Sequence, residues 1–201
     1  LQALSAMAIA PNLYEHTLVR YTDPLHATEL LRQYRPYLEM IPSMRRPQES
    51  LIPIPLPIAH IQVPAATTSN QRPQVKSVMV PCDLVFVLCD PEWKVKTDIE
   101  LLVFIHRPGE SFTELLTRWR QSQVLLSRSY SWDMPLQHRD VFSEGANRQF
   151  PLFVLFQETL AVIKRGLKAA RLPCVIDTTI LKEQPSSATK LMTGASESTE
   201  G

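Results

Sequence analysis

Residues 50–64, SLIPIPLPIAHIQVP, alternate proline with branched aliphatics: Pro53, Pro55, Pro57 and Pro64 stand among Leu51, Ile52, Ile54, Leu56, Ile58 and Ile61. Each proline lacks an N–H and fixes φ near −65° (about), and it pushes the residue before it towards extended geometry. Neither a helix nor a central strand is open to such a stretch, so it must be an extended ribbon or an edge strand. Proline-rich linkers that stay in water carry polar residues between the prolines. Here the spacers are Ile and Leu, each contributing roughly 1.5–3 kcal/mol when buried. The ribbon therefore lies against an apolar surface, either the domain's own core or a partner protein.

The chain has 201 residues, 44% hydrophobic and 20% charged, enough to bury a core as one domain with extensions. Seventeen prolines stand against five glycines, which leaves few positions for tight turns with positive φ or for phosphate-cradling loops. The net charge of +1 lacks the strong basicity of a stand-alone nucleic-acid binder. Cations outnumber acids mildly between Arg107 and Arg171. Cys82, Cys89 and Cys174 are odd in number and sit in apolar surroundings, as free thiols do in a reducing compartment. The odd spacing of Cys82 and Cys89 on one expected strand puts them on opposite faces. No apolar run approaches the length of a membrane-spanning helix.

Residues 1–12 read as an N-terminal extension, in composition like the sequence that follows a removed targeting peptide. Residues 13–181 read as one α+β domain that includes a proline-rich extended segment over 42–75. Residues 182–201 have the polar composition of a tail that needs a neighbour to order it. Within the domain, 13–21 read as a strand. A helix is expected from Thr22 or Asp23, with Pro24 in its first turn and Pro36 at its end. Residues 75–90 and 96–106, rich in Val, Ile, Phe and Leu, read as an antiparallel hairpin, with Pro81 marking an edge or bulge in the first strand. Ser111 and Glu114 form a capping box ahead of an amphipathic helix. A long irregular connection follows, then a second helix over 150–172 carrying a stripe of Phe153, Phe156, Leu160, Ile163 and Leu167, and a last strand from Pro173. This order predicts an α+β fold, a mostly antiparallel sheet with helices on one face, of which a ferredoxin-like core is one version, plus extended proline-rich arms.

The hexapeptide IPIPLP is similar to a Gly-Pro-Ile-Pro-Leu-Pro stretch in a small-subunit ribosomal protein family whose fold is β-α-β-β-α-β. The match lacks that family's Gly and the basic residues expected after it, and no functional residue is carried across.

Catalytic motifs are absent from the chain. His16, His26, His60, His106 and His138 have no metal-ligand spacing, and no glycine-rich phosphate loop exists. No cofactor or metal is expected. The composition points to a non-catalytic subunit of a large intracellular assembly, mitochondrial in setting. It would dock on other protein subunits through Leu51, Ile52, Ile54, Leu56, Ile58 and Trp132 and through the apolar second helix. An alternative is an RNA-contacting protein of a ribonucleoprotein such as a mitochondrial ribosome, using Arg118, Arg120, Arg128, Arg139, Lys164, Arg165, Lys168 and Arg171 on phosphates. Tyr130, Trp132, His138 and Arg139 interleave aromatics with cations and suit either partner. A third reading is a small enzyme around Cys89, His106 and Asp98, with Cys174 the alternative thiol for folding to set beside His106.

Overall fold

The structure, a computed structural model, describes residues 11–38, 51–64, 75–90, 92, 94–143 and 148–178. Residues 1–10 of the expected extension, the expected tail and most of the proline-rich segment outside 51–64 lie outside the described residues. The chain is α+β. Helices α1 (Pro11–Arg20) and α2 (Pro24–Leu38) come first, followed by strands β1 (Ile52–Leu56), β2 (His60–Pro64), β3 (Val75–Met79), β4 (Leu84–Asp90) and β5 (Val95–Ile105). Helix α3 (Phe112–Leu125), strand β6 (Ser131–Trp132), a 3₁₀ turn (Leu136–His138) and strand β7 (Phe142–Ser143) precede β8 (Arg148–Phe156), α4 (Ala161–Ala169) and β9 (Cys174–Asp177).

The main sheet runs β1-β4-β5-β8-β9, with β7 beside the start of β5. The pairs β1–β4 and β4–β5 are antiparallel, whereas β5–β8 and β8–β9 are parallel, so the sheet is mixed. The parallel half follows from the crossovers through α3 and α4, since neighbouring parallel strands need a long connection. A smaller antiparallel sheet, β3-β2-β6, packs against it. This order differs from a ferredoxin-like core and from the β-α-β-β-α-β fold of the ribosomal family that shares the IPIPLP stretch.

The proline ribbon is the edge strand β1, paired with β4 from Ile52↔Cys89 to Leu56↔Val85. Pro53, Ile54, Pro55 and Leu56 are all buried, because the strand is covered on both faces. A proline-bearing strand can pair on one side alone, and its own two faces supply the apolar surface that the aliphatics need. The expectation that Leu51, Ile54 and Leu56 face a partner is therefore corrected: they lie in the chain's own core, while Ile52 and Ile58 are exposed.

Helices cover both faces of the main sheet, not one. On the first face α2 and the turn after α1 bring Leu30, Tyr34 and Tyr21 against Phe86, Leu101, Leu152 and Phe156. On the second, α3, α4 and the small sheet bring Trp119, Ile163 and Ile61 against Val85, Phe104 and Phe153. Phe104 stacks on Phe153 at 5.3 Å and meets Trp119 edge-on at 5.9 Å. A sheet buried on both faces has strands apolar at every position, and this explains the largest departure from expectation. Residues 150–156, FPLFVLF, are the central strand β8 and not the start of a helix. An uninterrupted apolar run matches helical spacing by default, and its alternation here sends Leu152, Val154 and Phe156 to one face and Phe153 and Leu155 to the other. Thr159, whose Oγ1 accepts from Phe156 N at 2.9 Å, closes the turn into α4.

Three local corrections follow the same logic. Helix α1 occupies 13–20, where a strand over 13–21 was expected, and begins at Pro11, inside the expected extension. Residues 75–90 divide at Pro81 into β3 and β4, which belong to different sheets. Cys82 precedes β4, so it and Cys89 face the same core and not opposite faces, and both remain free thiols. The helix starts hold: Asp23 Oδ1 accepts from Leu25 N at 2.8 Å, and Ser111 and Glu114 form both bonds of the capping box. Pro36 sits inside the last turn of α2, which runs on to Leu38.

Candidate functional site

Three places concentrate chemistry. The first lies where β5 ends. Asp83, just before β4, accepts from Tyr14 Oη at 2.7 Å, Ile105 N at 2.7 Å and Arg107 Nη2 at 2.8 Å, and it pairs with Arg118 Nη2. Arg118 also donates to Glu110 Oε1 at 3.0 Å and to the Ile105 and Pro81 carbonyls, with its guanidinium 5.4 Å from the Phe104 ring centre. His106 is held through both ring nitrogens, by the Glu110 carbonyl at 2.9 Å and Thr159 Oγ1 at 3.3 Å. Burial and the Asp83 carboxylate push the Tyr14 phenol up to about 12. The group ties α1, α3 and the sheet together. Arg118, expected on RNA, is instead buried between two carboxylates, because a guanidinium inside the fold requires such partners.

The second place is the opposite end of the sheet. Lys96 Nζ and Glu100 Oε1 stand 2.5 Å apart, both buried. In register Cys89 faces Lys96 and Val87 faces Glu100, so β5 spends four residues where β4 spends two. Thr97 Oγ1 accepts from Ile99 N at 3.2 Å inside this bulge, which brings Lys96 and Glu100 together. Tyr130 Oη donates to Glu100 Oε2 at 2.5 Å and accepts from Gln149 Nε2 at 2.5 Å. Ammonium, carboxylate, phenol and amide thus meet within an apolar face, closed over by Trp132, which lies edge-on to Tyr130 at 5.5 Å. Trp132, expected to dock a partner, is buried in this chain's own core.

The third place is on the surface. Met79 at the end of β3, Pro81 just beyond it, and Thr117, Arg120, Gln121, Val124 and Leu125 of α3 line a groove of about 530 Å³. Met79 is 68% and Val124 69% exposed, so two large apolar side chains face solvent across it. Sequence reasoning missed this site because Val124 and Met79 are 45 positions apart and each looks unremarkable alone.

The remaining expected cations are spread out. Arg120 borders the groove, Arg128 follows α3, Arg139 caps the 3₁₀ turn, and Lys164, Arg165 and Lys168 lie on α4 with Arg171 just beyond. Arg120, Arg128, Arg139, Arg165, Lys168 and Arg171 are exposed, and Lys164 Nζ donates to the Gln157 carbonyl at 2.9 Å. Cys89 and His106 are not brought together. Cys89 faces the start of β5 and His106 follows its end, about 30 Å along an extended strand. Cys174 lies on β9, two strands from β5, while both His106 ring nitrogens are occupied. Burial also pushes the Cys82 and Cys174 thiols up, away from thiolate. Among the described residues, no group of three or more His, Cys, Asp or Glu is placed to hold a metal ion, and no helix is long and apolar enough to cross a membrane.

No protein-family model, no curated protein and no solved structure matches this chain.

Proposed function

We propose that the chain is a non-catalytic subunit of a larger intracellular protein assembly, docking on its neighbours through the groove between β3 and α3. The observation that carries the reading is the groove itself, where Met79 and Val124 are held exposed beside Pro81 and Leu125. A groove of this size lies within the range of ligand and peptide sites, and its lining is mostly apolar with a polar rim. Both ionic clusters support the same reading, since their charged groups are engaged with one another inside the fold. Ile52 and Ile58 add exposed aliphatics from the proline ribbon. Three free cysteines suit a reducing compartment such as the mitochondrial matrix.

The test is sedimentation of the protein from its native source under gentle conditions, with and without ribonuclease. The reading expects a particle much larger than the 22.9 kDa chain that survives ribonuclease. A monomer would overturn it. Collapse on ribonuclease treatment would transfer the function to RNA contact through the exposed cations around α4.

A further inference from the structure

The kind of partner can be read from the edge that adjoins the groove. Strand β3 pairs with β2 on one side and ends the small sheet on the other. Val80 N donates to the Ala59 carbonyl at 2.7 Å, which sets the phase of the ladder. Hydrogen-bonded pairs alternate in an antiparallel sheet, so Lys76 and Val78 direct their N–H and C=O groups at β2. Val75, Ser77 and Met79 direct theirs at the open edge. The edge of the main sheet formed by β1 is blunted by Pro53 and Pro55, which have no N–H to offer, whereas β3 carries no proline. An edge that no strand among the described residues pairs with, ending in an apolar groove beside a helix, is the arrangement in which an added strand gains main-chain bonds and side-chain pockets together.

Charge narrows the partner further. Among the described residues, Lys76 on the edge and Arg120 on the groove are both exposed without an ion-pair partner, and no acid lines the groove. We propose that β3 and α3 bind an extended segment of a partner protein. The segment adds as a fourth strand beside β3, places an aliphatic or Phe side chain between Met79, Pro81, Val124 and Leu125, and sets an Asp or Glu against Arg120. The inference rests on the docking role proposed above and specifies its chemistry.

A displayed library of random octapeptides selected against the full chain tests it. Wild type is expected to enrich an apolar residue at a fixed spacing from an acid. Selection against Arg120→Glu is expected to exchange the acid for Lys or Arg at the same spacing. The best wild-type peptide should lose roughly tenfold in affinity, about 1.4 kcal/mol, on Ser77→Pro, which removes one outward N–H as Pro53 does in β1. If Ser77→Pro fails to fold, the charge exchange at Arg120 decides alone. No enrichment, an acid preference that Arg120→Glu leaves intact, or a helical pattern indifferent to Ser77→Pro would each overturn the inference. A large ribonuclease-resistant particle together with any of these results would leave the subunit role standing and refute only the added strand.

Discussion

Replacing Asp83 with Ala removes the common acceptor of four donors: Tyr14 Oη, Ile105 N, Arg107 Nη2 and Arg118 Nη2. The Asp83 side chain is 1% exposed and that of Arg118 10%, so water cannot replace the lost partner. Breaking a buried pair of this kind costs about 3–5 kcal/mol, because the charge left behind is uncompensated. Against a total stability of roughly 5–15 kcal/mol, that is a large fraction. For a chain of this size it corresponds to a fall in Tm on the order of 10 °C. Arg118→Met should cost a similar amount, since it leaves Asp83 and Glu110 with Arg107 as the nearest cation. The double variant should be less destabilised than the sum of the two by at least about 1.5 kcal/mol, the coupling expected of residues in one network. Arg107→Met is the control: that side chain is 46% exposed, and its loss should cost under about 1 kcal/mol. Urea denaturation of the four variants, extrapolated to water, measures all of these. The reasoning is refuted if Asp83→Ala stays within about 1 kcal/mol of wild type, or if the two single effects simply add.

Other consequences are independent of that network's energy. Burial and Asp83 raise the Tyr14 phenol to about 12, and burial with Asp177 raises Tyr21 in the same direction. A phenol raised in the fold keeps its proton longer there, so its stabilisation is complete below the unfolded value near 10 (about) and is lost as pH rises from there to the folded value. Tm should therefore fall between pH 10 and 12 (roughly), less steeply in Tyr14→Phe; tyrosinate absorbance titrating normally, with no loss of Tm, would contradict the burial. At Gly166 an added Cβ would lie 2.8 Å from Phe112 Cζ, so Gly166→Ala should lose about 1–2 kcal/mol despite its better helix propensity. A stabilised Gly166→Ala in thermal unfolding would mean that α3 and α4 do not pack this closely. Ser111→Ala removes the acceptor of Glu114 N and should cost about 1 kcal/mol in urea denaturation, with no effect disproving the cap. Lys96→Met strands the fully buried Glu100 carboxylate and should cost about 3–5 kcal/mol, with partial recovery in Lys96→Met/Glu100→Gln. A Lys96→Met protein as stable as wild type would show that the pair does not hold the bulge.

Legibility in the sequence followed the range of the interactions concerned. Asp23 and Ser111 announce helices because a cap is a contact between residues two or three positions apart. The β4–β5 hairpin is equally local. Residues 150–156 were opaque because a strand buried on both faces and a buried helix share the same apolar run, and only the length before Glu158 and Thr159 distinguishes them. Arg118 looked like a surface cation because Asp83 comes from another part of the chain and Glu110, ahead of the cap, lies beyond the three- or four-residue reach of a helix-surface pair. The groove was invisible for the same reason.

The sequence alone determined that residues 51–57 are extended and can pair on one side only, since proline imposes that condition wherever it stands. It also determined the starts of α2 and α3, an α+β composition and a chain poor in phosphate-binding loops. Tertiary structure decided which surface the Pro-Ile ribbon meets, which strands are central, which cations are buried, and where apolar side chains are left facing solvent. Local conformation is set by dihedral limits and hydrogen bonds within a few residues. Burial is set by summing weak contacts between segments far apart in the chain, and that sum exists only once the layers have closed on one another.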